Sequence, residues 1–386
     1  MKILAIHNIL WAHYKARIFN GIFANLSDRN IDFYVLQMAY SERSRWGLKT
    51  DLSIHNYPYQ VLFPDKAIEQ IGKREKIRRL LQAVRNYKPD IVYLNGYYDL
   101  AYWAVIAYCK IKNIRIVLDF ESSEISRKRS WWKEAMKRGF LQQCDALVCL
   151  GQKAADYAIK LNVSPEKILS TKNVGVDNEA LLALFNKEFP LREQRKKALG
   201  LPLYNFLYAG RFVERKNLYR LIKAFHNAQK IAKNGKDWGV ILSGEGDQKE
   251  PLMQAISALG NTSVFFLEPC EWYEVPIRYT MADVAVLPST FEPFGFLTNE
   301  AMVYSMPVLV SDRCGSAADL VIDKYNGFQF NPYDEEDLTQ KMVLLMNAPE
   351  QFRTLGDRGK QIIDQWGPDI IVDELIQAFL KVARNG

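Results

Sequence analysis

Short, continuous apolar runs alternate with helix-length amphipathic segments along almost the whole chain, and this alternation constrains the fold more than any other feature. Two such series occur. The first contains "KILAI" (2–6), "IDFYVL" (31–36), "DIVYL" (90–94), "IRIVL" (114–118) and "DALVCL" (145–150). The second contains "NFLYA" (205–209), "WGVILS" (238–243), "SVFFL" (263–267), "DVAVLP" (283–288) and "PVLV" (307–310). Runs of β-branched and aromatic residues without polar alternation belong to strands covered on both faces, and strands alternating with helices build parallel, doubly wound sheets. The expectation is an α/β protein of two Rossmann-like domains facing a cleft.

The 386 residues suffice for two cores. Between the series, "FNKEFPLREQRKKALGLP", with Pro190 and Pro202, reads as a connector plus a short helix. The domains are expected at 1–185 and 186–365. The closing segment, 366–386, opens at a Gly-Pro break and repeats apolar residues at helical spacing. It is expected to be a terminal helix crossing back towards the first domain and packing across the hinge.

The longest apolar stretch, "LAYWAVIAYC" (100–109), is well short of the roughly 20 residues of a spanning helix. The start lacks a small-residue cleavage site before Lys15 and Arg17, so a cytoplasmic location is expected. Five cysteines, odd in number and without metal-ligand spacing, suit a reducing compartment. The net charge of +7 is concentrated in "KREKIRR" (73–79) and "RKRSWWKEAMKR" (127–138). The second stretch carries Trp131 and Trp132 among its cations and reads either as a peripheral contact with an anionic membrane or as a solvated helix face. No helix-turn-helix, zinc-finger or RNA-binding signature accompanies the charge, so nucleic acid is not expected as a partner.

Ligands of open α/β sheets collect at the carboxyl ends of the strands. Three loops there carry unusual residues: "AGRFVERKN" (209–217), "SGEGD" (243–247) and "STFEPFGFLTNE" (289–300). In the first, Arg211 and Lys216 offer a planar fork and a point charge to a diphosphate, or else pair with Glu214 and other surface acids. Gly244 and Gly246 permit tight turns near a nucleotide, or make a plain turn. In the third, a helix starting at about Phe296 aims its N-terminal N–H groups at an anion. Glu292 precedes that helix and Glu300 lies about one turn inside it. Each can accept hydrogen bonds from hydroxyl groups, one from a sugar and one from a ribose, or simply complement the helix dipole. The acids of "YDEEDL" (333–338) read as a helix start.

The stretch "FEPFGFLTNEAMVYSMPVLVSDRCGSAADLVIDKYNGFQF" (291–330) resembles the signature of family 4 glycosyltransferases, retaining enzymes of the GT-B fold with nucleotide-sugar donors. "AGRFVERKN" and "SGEGD" match the family in order and distance; the first half resembles it in strand order and in "CDALVCLGQKAADYAIKLNVSPEKI" (144–168). The resemblance implies that Glu292 contacts the transferred sugar, Glu300 the ribose, and Arg211 and Lys216 the diphosphate. Gly210, Gly244, Gly246, Gly295, Phe296, Leu297 and Thr298 would complete the donor site through backbone approach, amides or a hydroxyl.

Three departures stand out. Where many members have a glycine pair after the first strand, this chain has "NILWAHYKARIF" (8–19), with Tyr14, Lys15 and Arg17. Where many have a histidine after the fourth strand, "VLDFESSE" offers Glu121, which either orients or deprotonates the acceptor, polarises the sugar from the first-domain side, or pairs structurally with Arg115 or Arg127. Tyr304-Ser305 replaces a small residue and glycine, implying a packing change. Tyr14, Arg17, Asn95 and Tyr97, at strand ends of the first domain, are the candidate acceptor residues.

The implied function is retaining transfer of a sugar from a UDP- or GDP-linked donor, used as substrate, to a hydroxyl acceptor such as a lipid-linked glycan, in polysaccharide or glycolipid synthesis. No further cofactor is expected. No Asp-x-Asp pair stands where a metal would clamp the diphosphate, so metal-independent transfer is expected. A GT-B-fold nucleotide-sugar epimerase or a non-catalytic sugar-nucleotide-binding subunit would share the site. An NAD-dependent oxidoreductase is disfavoured because "LAIHNILWAH" lacks the Gly-x-Gly-x-x-Gly turn.

Overall fold

The structure, a computed structural model, describes residues 1–10, 13–27, 29–43, 51–124, 130–172, 175–271 and 273–384, the side chains of His13 and Tyr14 excepted. The chain forms two compact units, Met1–Gly175 with Trp366–Gly386, and Val176–Gln365.

The first unit holds seven parallel strands: β1 (Lys2–Ile9), β2 (Asp32–Ala39), β3 (Tyr59–Phe63), β4 (Ile91–Asn95), β5 (Arg115–Phe120), β6 (Ala146–Cys149) and β7 (Ile168–Ser170). Their order is β3-β2-β1-β4-β5-β6-β7. The second holds six: β8 (Tyr204–Ala209), β9 (Trp238–Ser243), β10 (Val264–Leu267), β11 (Val284–Leu287), β12 (Val308–Ser311) and β13 (Gly327–Phe330), ordered β10-β9-β8-β11-β12-β13 and likewise parallel. In both sheets the order reverses beside the unit's first strand, between β1 and β4 and between β8 and β11. Loops leaving those strands therefore diverge and open a crevice at their carboxyl ends.

All ten expected strands are present. Three others, β3, β7 and β13, went unread; each lies at a sheet edge, is at most five residues long and is only partly buried. β6, β9, β11 and β12 are fully buried, as their unbroken apolar runs require.

The expected break at 185/186 falls inside the helix Asn178–Glu188. Asp177 caps that helix by accepting from the Ala180 N–H at 3.1 Å, and Phe185 stacks on Tyr304 with centroids 4.4 Å apart, so the helix packs within the second unit. The closing helix, Pro368–Arg384, packs within the first unit. Its Ile371, Val372, Leu375, Ile376 and Phe379 join the core formed with Ile3, Ala5 and Phe19. It packs closely: a Cβ on Gly21 would lie 2.7 Å from Val372. Among the described residues no helix is long and apolar enough to cross a membrane.

Candidate active site

The crevice between β8 and β11 receives the loops 209–217 and 288–295. They are tied together by the Thr290 N–H donating to the Arg215 carbonyl at 2.9 Å. Across them the Lys216 ammonium donates to Glu292 Oε2, and the same oxygen accepts from Arg215 Nη1 at 3.1 Å and lies 3.5 Å from Ser289 Oγ. Both partners of the Lys216–Glu292 pair are largely buried, at 12% and 14% side-chain exposure, so solvent screens this pair less than a surface pair. Lys216 is thus partnered by Glu292 and not by Glu214. The Arg211 side chain is exposed and makes no ion pair among the described residues. Arg215 was not singled out from the sequence, although it lies inside the quoted motif.

The loop after β11 reaches the helix Phe296–Val303 through Gly295, whose φ of +103° only glycine takes readily and where a Cβ would lie 2.5 Å from Leu287. The backbone N–H groups of Phe296 and Leu297 open that helix, where no intrahelical acceptor is available. Thr298 is different: its side chain is fully buried and its Oγ1 accepts from Ser316 Oγ at 3.0 Å, so the hydroxyl serves the helix–helix contact. Glu300, half-buried, accepts from the Tyr279 hydroxyl at 2.6 Å; burial raises its carboxyl pKa, and the Tyr279 bond opposes the rise. One carboxylate oxygen is thereby fixed by Tyr279, which leaves the other to accept from a diol.

Gly244 and Gly246 have a definite packing role. The loops 209–213 and 243–247 extend β8 and β9 side by side, with the Gly210 N–H donating to Ser243 O at 2.9 Å and the Phe212 N–H to Glu245 O at 2.8 Å. A Cβ on Gly244 would lie 1.9 Å from the Gly210 carbonyl oxygen, and one on Gly246 2.2 Å from that of Phe212. These glycines let the Arg211 loop lie flat against its neighbour. The acids of "YDEEDL" start a helix, Glu335–Asn347, with Asp334 Oδ1 accepting from the Glu336 N–H at 3.0 Å and the Asp337 N–H at 3.2 Å.

The equivalent crevice of the first sheet holds a second polar cluster. Lys15 Nζ donates to Asp119 Oδ2 at 2.7 Å, both side chains being at least nine-tenths buried. Asp119 Oδ2 also accepts from Asn95 Nδ2 at 3.2 Å and the Tyr93 hydroxyl at 3.3 Å, and Asn95 Oδ1 accepts from Asn8 Nδ2 at 3.2 Å. Asn95 is therefore spent on positioning the strand ends. His7, buried one residue before Asn8, lies 3.0 Å from Gln37 Oε1; burial and then the Lys15 charge lower its pKa to about 4.

Glu121 lies two residues beyond Asp119 and makes no hydrogen bond or ion pair among the described residues. Its expected alternative partner Arg115 instead pairs with Asp145 at 3.3 Å, and Arg127 is outside the described residues. Surrounding protein and then repulsion from Asp119 push the Glu121 carboxyl up to about 7, with Lys15 opposing; the side chain reaches solvent, which tempers the first cause. Tyr97 is buried, its hydroxyl 2.9 Å from Ser122 Oγ. Arg17 lies apart from this cluster, against Asp369 at 3.4 Å, and the Tyr14 side chain is outside the described residues. Asp119 was missed although a carboxylate at the end of the apolar run "IRIVLDF" is the signal that reveals it.

Residues 22–173 match the family "Glycosyltransferase Family 4" and residues 192–362 match "Glycosyl transferases group 1". Together the two matches span most of the chain, which belongs to the family 4 type of glycosyltransferases with the GT-B fold. Sulfoquinovosyl transferase SQD2 of Arabidopsis thaliana is 25% identical over 75% of this chain and 56% of its own length. An uncharacterised glycosyltransferase of Haemophilus influenzae is 26% identical over 54% of this chain and 57% of its own. The chain spans about half the length of the curated relatives it matches. Among solved structures, Anabaena Alr3699/HepE in complex with UDP and glucose superposes with a TM-score of 0.74 at 19% identity, over 99% of this chain and all of that one.

Proposed function

We propose that the protein is a retaining, metal-independent glycosyltransferase. In this reading the second unit binds a nucleotide-diphosphate-sugar and the first unit holds the acceptor. The observation that carries it is the convergence of Lys216, Arg215 and Glu292 at the start of the helix Phe296–Val303, at the switch point of the second sheet. The cations and the helix N–H groups suit a diphosphate, and the carboxylates of Glu292 and Glu300 suit the hydroxyls on either side of it. That HepE was solved with UDP and glucose favours a nucleotide-linked donor.

On donor binding the diphosphate takes Lys216 and Arg215 from Glu292, whose carboxylate then accepts from hydroxyls of the transferred sugar. Arg211, at the exposed side, closes on the phosphates. The bond from C1 to the diphosphate oxygen breaks as the acceptor oxygen bonds to C1 on the same face, and the acceptor's proton passes to the departing diphosphate. Lys216, Arg211 and the helix amides stabilise the growing charge. Gly210, Gly244 and Gly246 hold the Arg211 loop in place. Glu121 orients the acceptor hydroxyl.

The acceptor is a glycan carried on, or growing beside, an anionic membrane. In support, the helix Trp131–Gln142 exposes Trp131 at 84%, Trp132 at 48% and Met136 at 45%, with Lys133 and Arg138 among them; Arg127, Lys128 and Arg129 lie outside the described residues. A thermal-shift screen of UDP- and GDP-sugars tests the donor: a specific ligand at a hundred times its Kd stabilises the fold by about 2.7 kcal/mol. Anomeric NMR of the product then reads retention, and turnover in EDTA reads metal independence. A protein that no nucleotide-sugar stabilises is not this enzyme, and conversion of donor alone to an isomer makes it an epimerase. Flotation with phosphatidylglycerol liposomes, but not with phosphatidylcholine, tests the membrane contact.

A further inference from the structure

In the loop after β4 the first unit carries an exposed aromatic ring held in place before any ligand arrives. Tyr98 is 65% exposed, yet its ring stacks on that of buried Tyr97 with centroids 4.3 Å apart and planes at 30°. Tyr97 stacks in turn on Phe120 at 5.8 Å, and Phe120 on Tyr157 at 6.1 Å, so the exposed ring is the last step of an aromatic stack rooted in the core. Its hydroxyl is pinned as well, 2.6 Å from Ser122 Oγ and 3.2 Å from the Tyr97 hydroxyl. Ser122 is buried and directly follows Glu121 in the chain.

Exposed tyrosines ordinarily lose side-chain freedom when they bind, and one fixed at both ring and hydroxyl avoids that loss. What the arrangement presents is a flat apolar surface pinned to Ser122, one residue along the chain from a carboxylate with hydrogen-bonding capacity to spare. A pyranose has the matching character, with C–H groups on one face and hydroxyls around its rim. A phosphate would be repelled by Glu121, and an acyl chain would leave the carboxylate without a partner.

We propose that Tyr98 is the acceptor platform: its ring receives the C–H face of a pyranose whose hydroxyl is offered to Glu121, so the group that accepts the transferred sugar is itself a sugar. The Tyr97 and Ser122 hydroxyls are positioning groups that act through Tyr98. The inference rests on the first unit being the acceptor side of the proposed transferase.

The test is saturation-transfer NMR on the full chain with methyl α-D-glucopyranoside, methyl α-D-mannopyranoside and methyl β-D-galactopyranoside, with glycerol and 1,6-hexanediol as probes lacking a pyranose face. At least one glycoside receives saturation and neither open-chain diol or triol does. Tyr98→Ala raises the Kd of that glycoside on the order of tenfold, the scale of one aromatic stacking contact. Tyr98→Phe and Ser122→Ala, which keep the ring and release its pin, raise it by a smaller factor, and they decide the matter if Tyr98→Ala does not fold. Nucleotide-sugar thermal shifts are unchanged in all three. The proposal is overturned if no glycoside binds, or if binding is equal in wild type and the folded variants. Glycoside binding that fails while nucleotide-sugars still stabilise the protein sinks the platform alone. Tyr98-dependent binding without any nucleotide-sugar shift sinks the transferase reading and leaves the platform standing.

Discussion

Lys216 donates to Glu292 across the two loops that part at the switch point of the second sheet, so the cation proposed to meet the diphosphate and the carboxylate proposed to meet the sugar are held on each other. Replacing Lys216 with Ala removes one charge-stabilising contact from the transition state, and kcat/KM should fall by about 3 kcal/mol of barrier, on the order of a hundredfold. The Lys216→Ala variant should also lose most of the nucleotide-sugar thermal shift. Steady-state kinetics with wild-type rates in Lys216→Ala would remove this residue from the mechanism.

How far the residues disclosed this in advance depended on burial. Strands at the sheet centres, such as "VAVL" of β11, are covered on both faces and print unbroken apolar runs. The edge strand β13, "GFQF", is half-exposed and carries Gly327 and Gln329, so it has neither the run nor the alternation of a readable strand. Arg211, Lys216, Glu292 and Glu300 were readable as candidates because each stands in a loop or helix start after a strand. The partners were not. Tyr279 is 21 residues from Glu300 and Lys15 is 104 from Asp119, and only the folded sheets bring them together. The pinned Tyr98 was passed over for the same reason, since Ser122 is 24 residues away.

His7 makes stability depend on pH. Folding holds it neutral down to about pH 4 through burial first and the Lys15 charge second, while the unfolded chain protonates it near 6.5. Between those values the unfolded state binds the extra proton, so stability falls as pH drops through the window, by roughly 3 kcal/mol in all. Urea unfolding at pH 7 and pH 4.5 should show a smaller difference in His7→Gln than in wild type. Equal differences would mean that His7 is not the group responsible.

Glu121 has a carboxyl raised to about 7 by its surroundings and by Asp119, so it is protonated below neutrality and charged above it. A carboxylate that orients the acceptor by accepting a hydrogen bond from one of its neighbouring hydroxyls works only when charged. The acceptor kcat/KM should therefore climb with pH through about 7 and then level off. Glu121→Gln should lower the plateau and abolish the climb while leaving donor KM unchanged; a profile identical to wild type in Glu121→Gln would take the residue out of the reaction.

Gly244→Ala tests whether the Arg211 loop depends on its neighbour. The added Cβ would lie 1.9 Å from the Gly210 carbonyl oxygen, a backbone atom that moves only with its loop, and the residue's φ is +144°. Overpacking of this kind costs about 1–3 kcal/mol, and here it falls on the loop that carries Arg211. The variant should lose stability in urea unfolding and, where still folded, bind nucleotide-sugar more weakly. Unchanged donor binding in a destabilised protein would separate the glycine pair from the site.

Ser305 occupies the position at which the helix Phe296–Val303 ends in a left-handed turn, with φ of +53°. Its N–H donates to Met302 O at 3.1 Å and the Met306 N–H donates to Ala301 O at 2.9 Å, the paired bonds of a Schellman ending, whose left-handed residue is usually glycine. The turn thus favours the glycine that the family resemblance implies here, and the adjoining Tyr304 ring is taken up by stacking on Phe185. A left-handed backbone penalises a residue with a Cβ, whereas glycine costs more entropy from the unfolded chain. The difference favours Ser305→Gly by about 0.5–1 kcal/mol. The expected result is a higher urea midpoint with an unchanged slope. A lower midpoint would mean that the serine side chain contributes more to this turn than its backbone strain takes away.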